Sequence, residues 1–195
     1  MPDRITDELL LERAVGGDET AFLLLYERYR NPIFRFSYRL IGSVEVAEDI
    51  THDCFLSLIR KTGNFDASRG SLRTYLYAAA RNLAMKHFRS TGRETAIDDL
   101  AEHPAAPRRE EPLRRVLDAE LAEQVREAVA DLPPLQREAL VLFEYEGLPM
   151  NEIAIIVGSD VGAVKGRLYR ARERLRNSLA PYLNSRPEIV TLGKA

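Results

Sequence analysis

Apolar residues recur at intervals of three and four from about residue 5 to residue 90: Leu9, Ala14, Phe22, Leu25, Tyr29, Ile33, Phe36 and Leu40, then Ile50, Cys54 and Leu58, then Leu72, Leu76, Ala79 and Leu83. Spacing of this kind lays one apolar stripe along a helix, and neither a strand-like alternation nor an Asn-Gly hairpin signal competes with it. The first part of the chain is therefore expected to be a bundle of about four helices. From about residue 91 to 116 the pattern fails: "TGRETAIDDLAEHPAAPRREEPLRRV" holds Pro104, Pro107 and Pro112, many charges and few large apolar groups. That composition suits an extended, flexible linker. Periodicity returns at Leu117, Leu121, Val125 and Val129, and continues after "LPP" at Leu135, Leu140, Val141 and Phe143. The expected architecture is all-α: a first helical domain over residues 1–91, a flexible linker over 92–116, a second helical domain over 117–182 and a C-terminal tail over 183–195.

Within the second domain, Pro149 to Leu179 reads as two helices around a short turn. Ile153, Ala154 and Val157 give the first helix an apolar side. Gly158 can take the left-handed conformation at its end, and Asp160 can accept backbone N–H bonds as the N-cap of the next. In that next helix Val161, Val164, Leu168, Ala171, Leu175 and Leu179 form the buried stripe, which leaves Lys165, Arg167, Tyr169, Arg170 and Arg172 largely outside. This is the helix-turn-helix pattern, whose second helix enters the DNA major groove. The small residues Gly162, Ala163 and Gly166 would let backbone and groove approach closely, while the arginines meet phosphates. A basic helix can also be no more than a solvated surface; the turn and cap argue against that here.

Charge sharpens this picture. The whole chain carries a net charge of only -2, yet between residues 159 and 186 seven basic side chains (Lys165, Arg167, Arg170, Arg172, Arg174, Arg176, Arg186) face two acids, Asp160 and Glu173. Charge is sorted, with one face of the second domain suited to nucleic acid. At 195 residues and 45% hydrophobic content, the chain is long enough for one large or two small folded domains. It has no run of about 18 apolar residues, and "MPDRITDELLLERAVGGDET" bears acids where a signal peptide would be basic and then apolar. No membrane insertion and a cytoplasmic location are expected. The single cysteine, Cys54, reads as a small buried hydrophobe, and His52, His87 and His103 are too scattered to assemble a metal site. No cofactor is expected either.

In the first domain, "SVEVAEDITHDCFLSLIRK" places Glu45, Glu48, Asp49, His52 and Asp53 on one side of a helix, with Leu56 in the same sector. Crowded acids repel each other and would repel DNA. Two readings fit: a solvated face, or a docking surface for a basic protein with Leu56 adding apolar contact. In "NFDASRGSLRTYLYAAARNLAMKHFRS", Ser71 can cap a helix whose buried side is Leu72, Leu76, Ala79 and Leu83, so that Arg81, Asn82 and Arg89 point away and Lys86 lies at the margin. The loop before it offers Phe65, Asp66, Ser68 and Arg69. Aromatic, polar and basic groups together suit single-stranded nucleic acid, whose unstacked bases need a flat partner and whose backbone needs positive charge.

The segments "GDETAFLLLYERY", "AEDITHDCFL", "FDASRGSLRTYLYAAARNLA", "LPPLQREALVLFEYEGL" and "EIAIIVGSDVGAVKGRLYRARERLR", in this order and spacing, resemble those of the extracytoplasmic-function (ECF) sigma factors of bacterial RNA polymerase. The resemblance covers about residues 8 to 92 (sigma region 2) and 117 to 180 (sigma region 4). It implies a region 2 four-helix bundle and a region 4 helix-turn-helix. It further implies that Glu45, Glu48, Asp49, His52, Asp53 and Leu56 dock on the clamp helices of the polymerase's largest subunit. Phe65, Asp66, Ser68, Arg69, Arg81, Asn82 and Lys86 would recognise and melt the promoter −10 element. Lys165, Arg167, Tyr169, Arg170 and Arg172 would lie on the helix that reads the −35 element. Region 4 would also meet the flap of the second-largest subunit, and the linker would run toward the active-site cleft. An anti-sigma factor is the implied inhibitor.

Several positions depart from the family pattern. Tyr75 stands where a tryptophan is common, Ala163 and Gly166 replace the usual threonine and serine of the recognition helix, and Ile155 occupies a normally polar site. The −35 sequence therefore does not carry over. Ile155 is open to two readings, an anti-sigma contact or a core position. An enzyme is disfavoured, because the chain has no Gly-rich phosphate loop, no His-Glu-x-x-His and no paired nucleophile and base, and no small-molecule substrate is expected. The main alternative is a two-domain helix-turn-helix regulator acting without polymerase, which predicts a ligand cavity or dimer surface in place of the acidic stripe.

Overall fold

The computed structural model describes residues 5–60, 65–68, 70–91 and 113–184, with only the backbone described for residues 113–119, 183 and 184. All regular elements among them are helical. Among the described residues the first body holds four helices: α1 (Asp7–Val15), α2 (Glu19–Ile41), α3 (Val44–Arg60) and α4 (Leu72–Ser90). Their ends follow local chemistry. The Asp18 side chain accepts the Ala21 N–H at 3.1 Å as N-cap of α2, and Gly42, at φ 80°, closes α2 in the left-handed conformation. The Ser71 hydroxyl accepts the Thr74 N–H at 3.2 Å and starts α4. Leu25, Ile33, Phe36, Leu40, Cys54, Leu58, Leu72 and Leu76 are buried between the helices.

The second body holds α5 (Leu113–Ala130), α6 (Pro134–Leu140), α7 (Met150–Val157) and α8 (Val161–Asn184). A π-helical turn, Val141–Tyr145, continues α6 before the chain turns at Gly147 into α7. α5 therefore begins inside the segment expected to be linker, and α8 runs two residues into the expected tail. Residues 92–112 of that linker and 185–195 of that tail lie outside the described residues, as does Arg69.

The two bodies pack on each other. α4 lies against α2, α3 and α7, α2 touches α6 and the π-helical turn, and one continuous buried apolar cluster runs from Leu10 to Ala171. Two expectations change. α4 is covered on two sides, so its buried residues are Leu72, Thr74, Leu76, Tyr77, Ala80, Ala84 and Phe88, with Ala79 and Leu83 only at the margin. Leu9 is 46% exposed, and Leu10 and Leu11 fill the core position in its place, because α1 meets α2 along a stripe one residue further on.

Candidate nucleic-acid interface

Glu45, Glu48, Asp49, His52 and Asp53 are all exposed along α3, as the helical spacing requires. Among the described residues none of these four acids has an ion-pair partner. The opposite face of α3 is anchored in the core by Ala47, Ile50, Cys54, Phe55 and Leu58, which fixes the direction in which the acids point. Leu56 is half-buried rather than exposed, so its apolar contribution to this face is partial. Behind the stripe, burial pushes the Cys54 thiol up to about 12, with the Asp53 charge adding to it.

In the loop before α4, Asp66 accepts hydrogen bonds from the Ser68 N–H at 2.9 Å and the Ser68 hydroxyl at 2.7 Å, an Asx-type turn that shapes the chain. Phe65 is half-buried, its ring edge-on to Tyr75 with centroids 5.8 Å apart. Tyr75 thus supports the loop's aromatic group from the helix side. Asn82 and Lys86 are exposed on α4. Arg81 is not: its side chain is only 18% exposed and pairs with Glu138 at 2.8 Å. It leaves the core of its own bundle, as expected, and is covered by the second body.

The helix-turn-helix forms as its sequence dictates. Gly158 ends α7 at φ 62°, and the Asp160 carboxylate accepts the Ala163 N–H at 2.8 Å at the head of α8. Val164, Leu168 and Ala171 are buried, while Lys165, Tyr169, Arg170 and Arg172 are exposed, Tyr169 to 66%. Together with Met150, Lys165, Tyr169, Arg172 and Arg176 line a shallow groove of about 340 Å³. Arg172 leans on Glu144 at 2.6 Å and over the Phe143 ring. Arg167 departs from expectation: it is 17% exposed and pairs with Glu138 at 3.2 Å. Ile155 is 53% exposed, which excludes a core role.

Family models match two segments: sigma-70 region 2 over residues 25–94 and sigma-70 region 4 over residues 122–175. The chain is 32% identical over 185 residues to the RNA polymerase sigma-H factor of Pseudomonas aeruginosa, covering 91% of this chain and 95% of that one. It is 31% identical over 191 residues to the ECF RNA polymerase sigma-E factor of Escherichia coli, covering 94% and 99%. The chain belongs to the ECF sigma factors. In fold this sigma factor is similar to CnrH, solved with the cytosolic domain of CnrY (TM-score 0.66, 24% identity, covering 90% of this chain and 97% of that one). It is also similar to the RpoE sigma factor of Bartonella quintana, solved with the anti-sigma factor NepR (TM-score 0.63, 24% identity, covering 82% and 96%).

The sigma factor's second body contributes acids that the sequence did not single out. Glu138 is fully buried between Arg81 and Arg167. Burial raises its carboxyl above the usual range, against the opposing pull of the Arg81 hydrogen bond and of both guanidinium charges. Glu146 accepts the Tyr77 hydroxyl at 2.6 Å and pairs with Arg39 at 3.3 Å. The one visible signal was the run Gln136, Arg137 and Glu138 inside an apolar stretch; all three are buried. No described helix is long and apolar enough to cross a membrane.

Proposed function

We propose that this sigma factor directs promoter-specific initiation through three surfaces, with an anti-sigma factor holding it silent until a stress signal. The α3 stripe of Glu45, Glu48, Asp49, His52 and Asp53, with Leu56 at its edge, docks on the clamp helices of the polymerase's largest subunit. The Phe65–Arg69 loop with Arg81, Asn82 and Lys86 captures and melts the −10 element. Lys165, Arg167, Tyr169, Arg170 and Arg172 read the −35 element. Region 2 occupies residues 1–91 and region 4 residues 117–182, with residues 92–116 joining them, and region 4 also meets the flap of the second-largest subunit. The protein works in the cytoplasm and catalyses no reaction of its own. The exposed Ile155 fits a contact with the anti-sigma factor, the partner class named for the Bartonella quintana relative.

One observation carries this reading: the chain presents an acidic helix face without ion pairs among the described residues, together with a capped basic recognition helix. DNA would reject the first and attract the second, so the acidic face belongs to a different macromolecule. In vitro transcription with purified core polymerase on fragmented host DNA tests it. Discrete new start sites sharing two spaced upstream elements are expected. Tight binding to duplex DNA with no new starts would overturn the assignment of the three surfaces.

A further inference from the structure

Four side chains on one face of α4 meet the second body: Arg73, Thr74, Tyr77 and Arg81. All four act there as hydrogen-bond donors. Their acceptors are the Glu146 backbone carbonyl for Arg73, Glu152 for Thr74 at 3.1 Å, Glu146 for Tyr77 at 2.6 Å, and Glu138 for Arg81 at 2.8 and 3.4 Å. Positions 73, 77 and 81 stack along the helix at intervals of four, so the face is a continuous row of donors. From the other side, Glu138 also takes Arg167 of the recognition helix at 3.2 Å. One buried carboxylate thus holds a guanidinium from the surface assigned to the −10 element and another from the surface assigned to the −35 element.

We propose that Glu138, Glu146 and Glu152 act as an internal substitute for nucleic-acid phosphates, closing the sigma factor on itself and keeping α4 from DNA. This rests on the roles given above to Arg81 and Arg167. A carboxylate, like a phosphate, accepts hydrogen bonds and bears negative charge, and guanidinium groups pair with both in the same forked geometry. A donor face that carries glutamates cannot carry a phosphate backbone at the same time. Closure and DNA binding on α4 are then mutually exclusive, and the affinity of the free chain is reduced by the fraction that is open. Lys165, Tyr169 and Arg170 stay exposed in the closed form, so closure silences the α4 surface and leaves most of the recognition helix open. Any partner that draws the two bodies apart would release Arg81 from Glu138, while Arg167 keeps its pair with Glu138 inside the second body.

The test uses the full chain without polymerase. Binding of a short fluorescein-labelled single strand of mixed sequence is followed by anisotropy, and compactness by small-angle X-ray scattering. Two variants break the closure from different points, Glu138→Lys and Glu146→Lys. A third, Glu127→Lys on the exposed side of α5, adds the same charge away from the contact. The two interface variants are expected to show a larger radius of gyration and about tenfold tighter binding, with Glu127→Lys close to the native chain. If Glu138→Lys fails to fold, Glu146→Lys alone carries the comparison. Interface variants as compact as the native chain, or a gain in binding matched by Glu127→Lys, would overturn the proposal. Failure of the underlying site assignment would show separately, as normal strand opening by an Arg81→Ala chain with core polymerase.

Discussion

The acids of α3 and the acids of the second body are the same functional groups in opposite surroundings. Glu48, Asp49 and Asp53 stand in solvent, held at helical spacing by a core on the far side of their helix, with no ion pair among the described residues. Glu138 is fully buried between two guanidiniums, and Glu146 holds a tyrosine and an arginine of the first body. An exposed acid contributes little to the fold and is free to meet a partner; a buried one is committed to its contact and is costly to disturb. The difference separates residues left open to a partner from residues committed to the contact between the two bodies.

The sharpest way to break that contrast is at Glu138. Glu138→Leu leaves two guanidiniums buried without their carboxylate and is expected to cost the closed form about 3 to 5 kcal/mol in a urea titration. Adding Arg81→Met should restore part of the loss, since an uncompensated buried charge is the chief penalty. Asp49→Arg is expected to leave urea stability within about 0.5 kcal/mol of the native chain while abolishing co-purification with core polymerase. Undiminished co-purification would place docking elsewhere. Lys165→Ala should weaken promoter binding by about 1 to 3 kcal/mol if it meets a base edge and by less if it meets a phosphate, as read in a gel-shift series with polymerase. The smallest effect is expected at Gly158→Ala. Its added methyl meets no atom within 4 Å, so only the left-handed backbone at φ 62° opposes it, a cost of about 1 kcal/mol seen in thermal unfolding.

Residues whose environment is set within one helix were legible in the sequence. The caps at Ser71 and Asp160, the left-handed Gly158, the buried Cys54, the acidic stripe and the stripe of Val164, Leu168 and Ala171 all follow from spacing alone. What failed to show were environments set by a distant helix, in the other body for Arg81 and in the same body for Arg167. Arg81 and Arg167 lie outside the apolar stripes of their own helices, as spacing requires. Their burial comes from Glu138, 57 residues from Arg81 and 29 from Arg167. Periodicity reports the face a helix turns to its nearest core and carries nothing about a second core that meets its other side. The drift of the α4 core residues from Ala79 and Leu83 to Ala80 and Ala84 has the same origin.

Cys54 has a practical consequence for measuring these motions. It is the chain's single cysteine, fully buried, with its thiol pushed up to about 12, so at neutral pH almost none of it is the reactive thiolate. A cysteine placed at an exposed position on each body would take a maleimide dye or spin label ahead of it. Distances between the two halves can then be followed by fluorescence or electron-spin resonance in a chain whose native core is left unaltered.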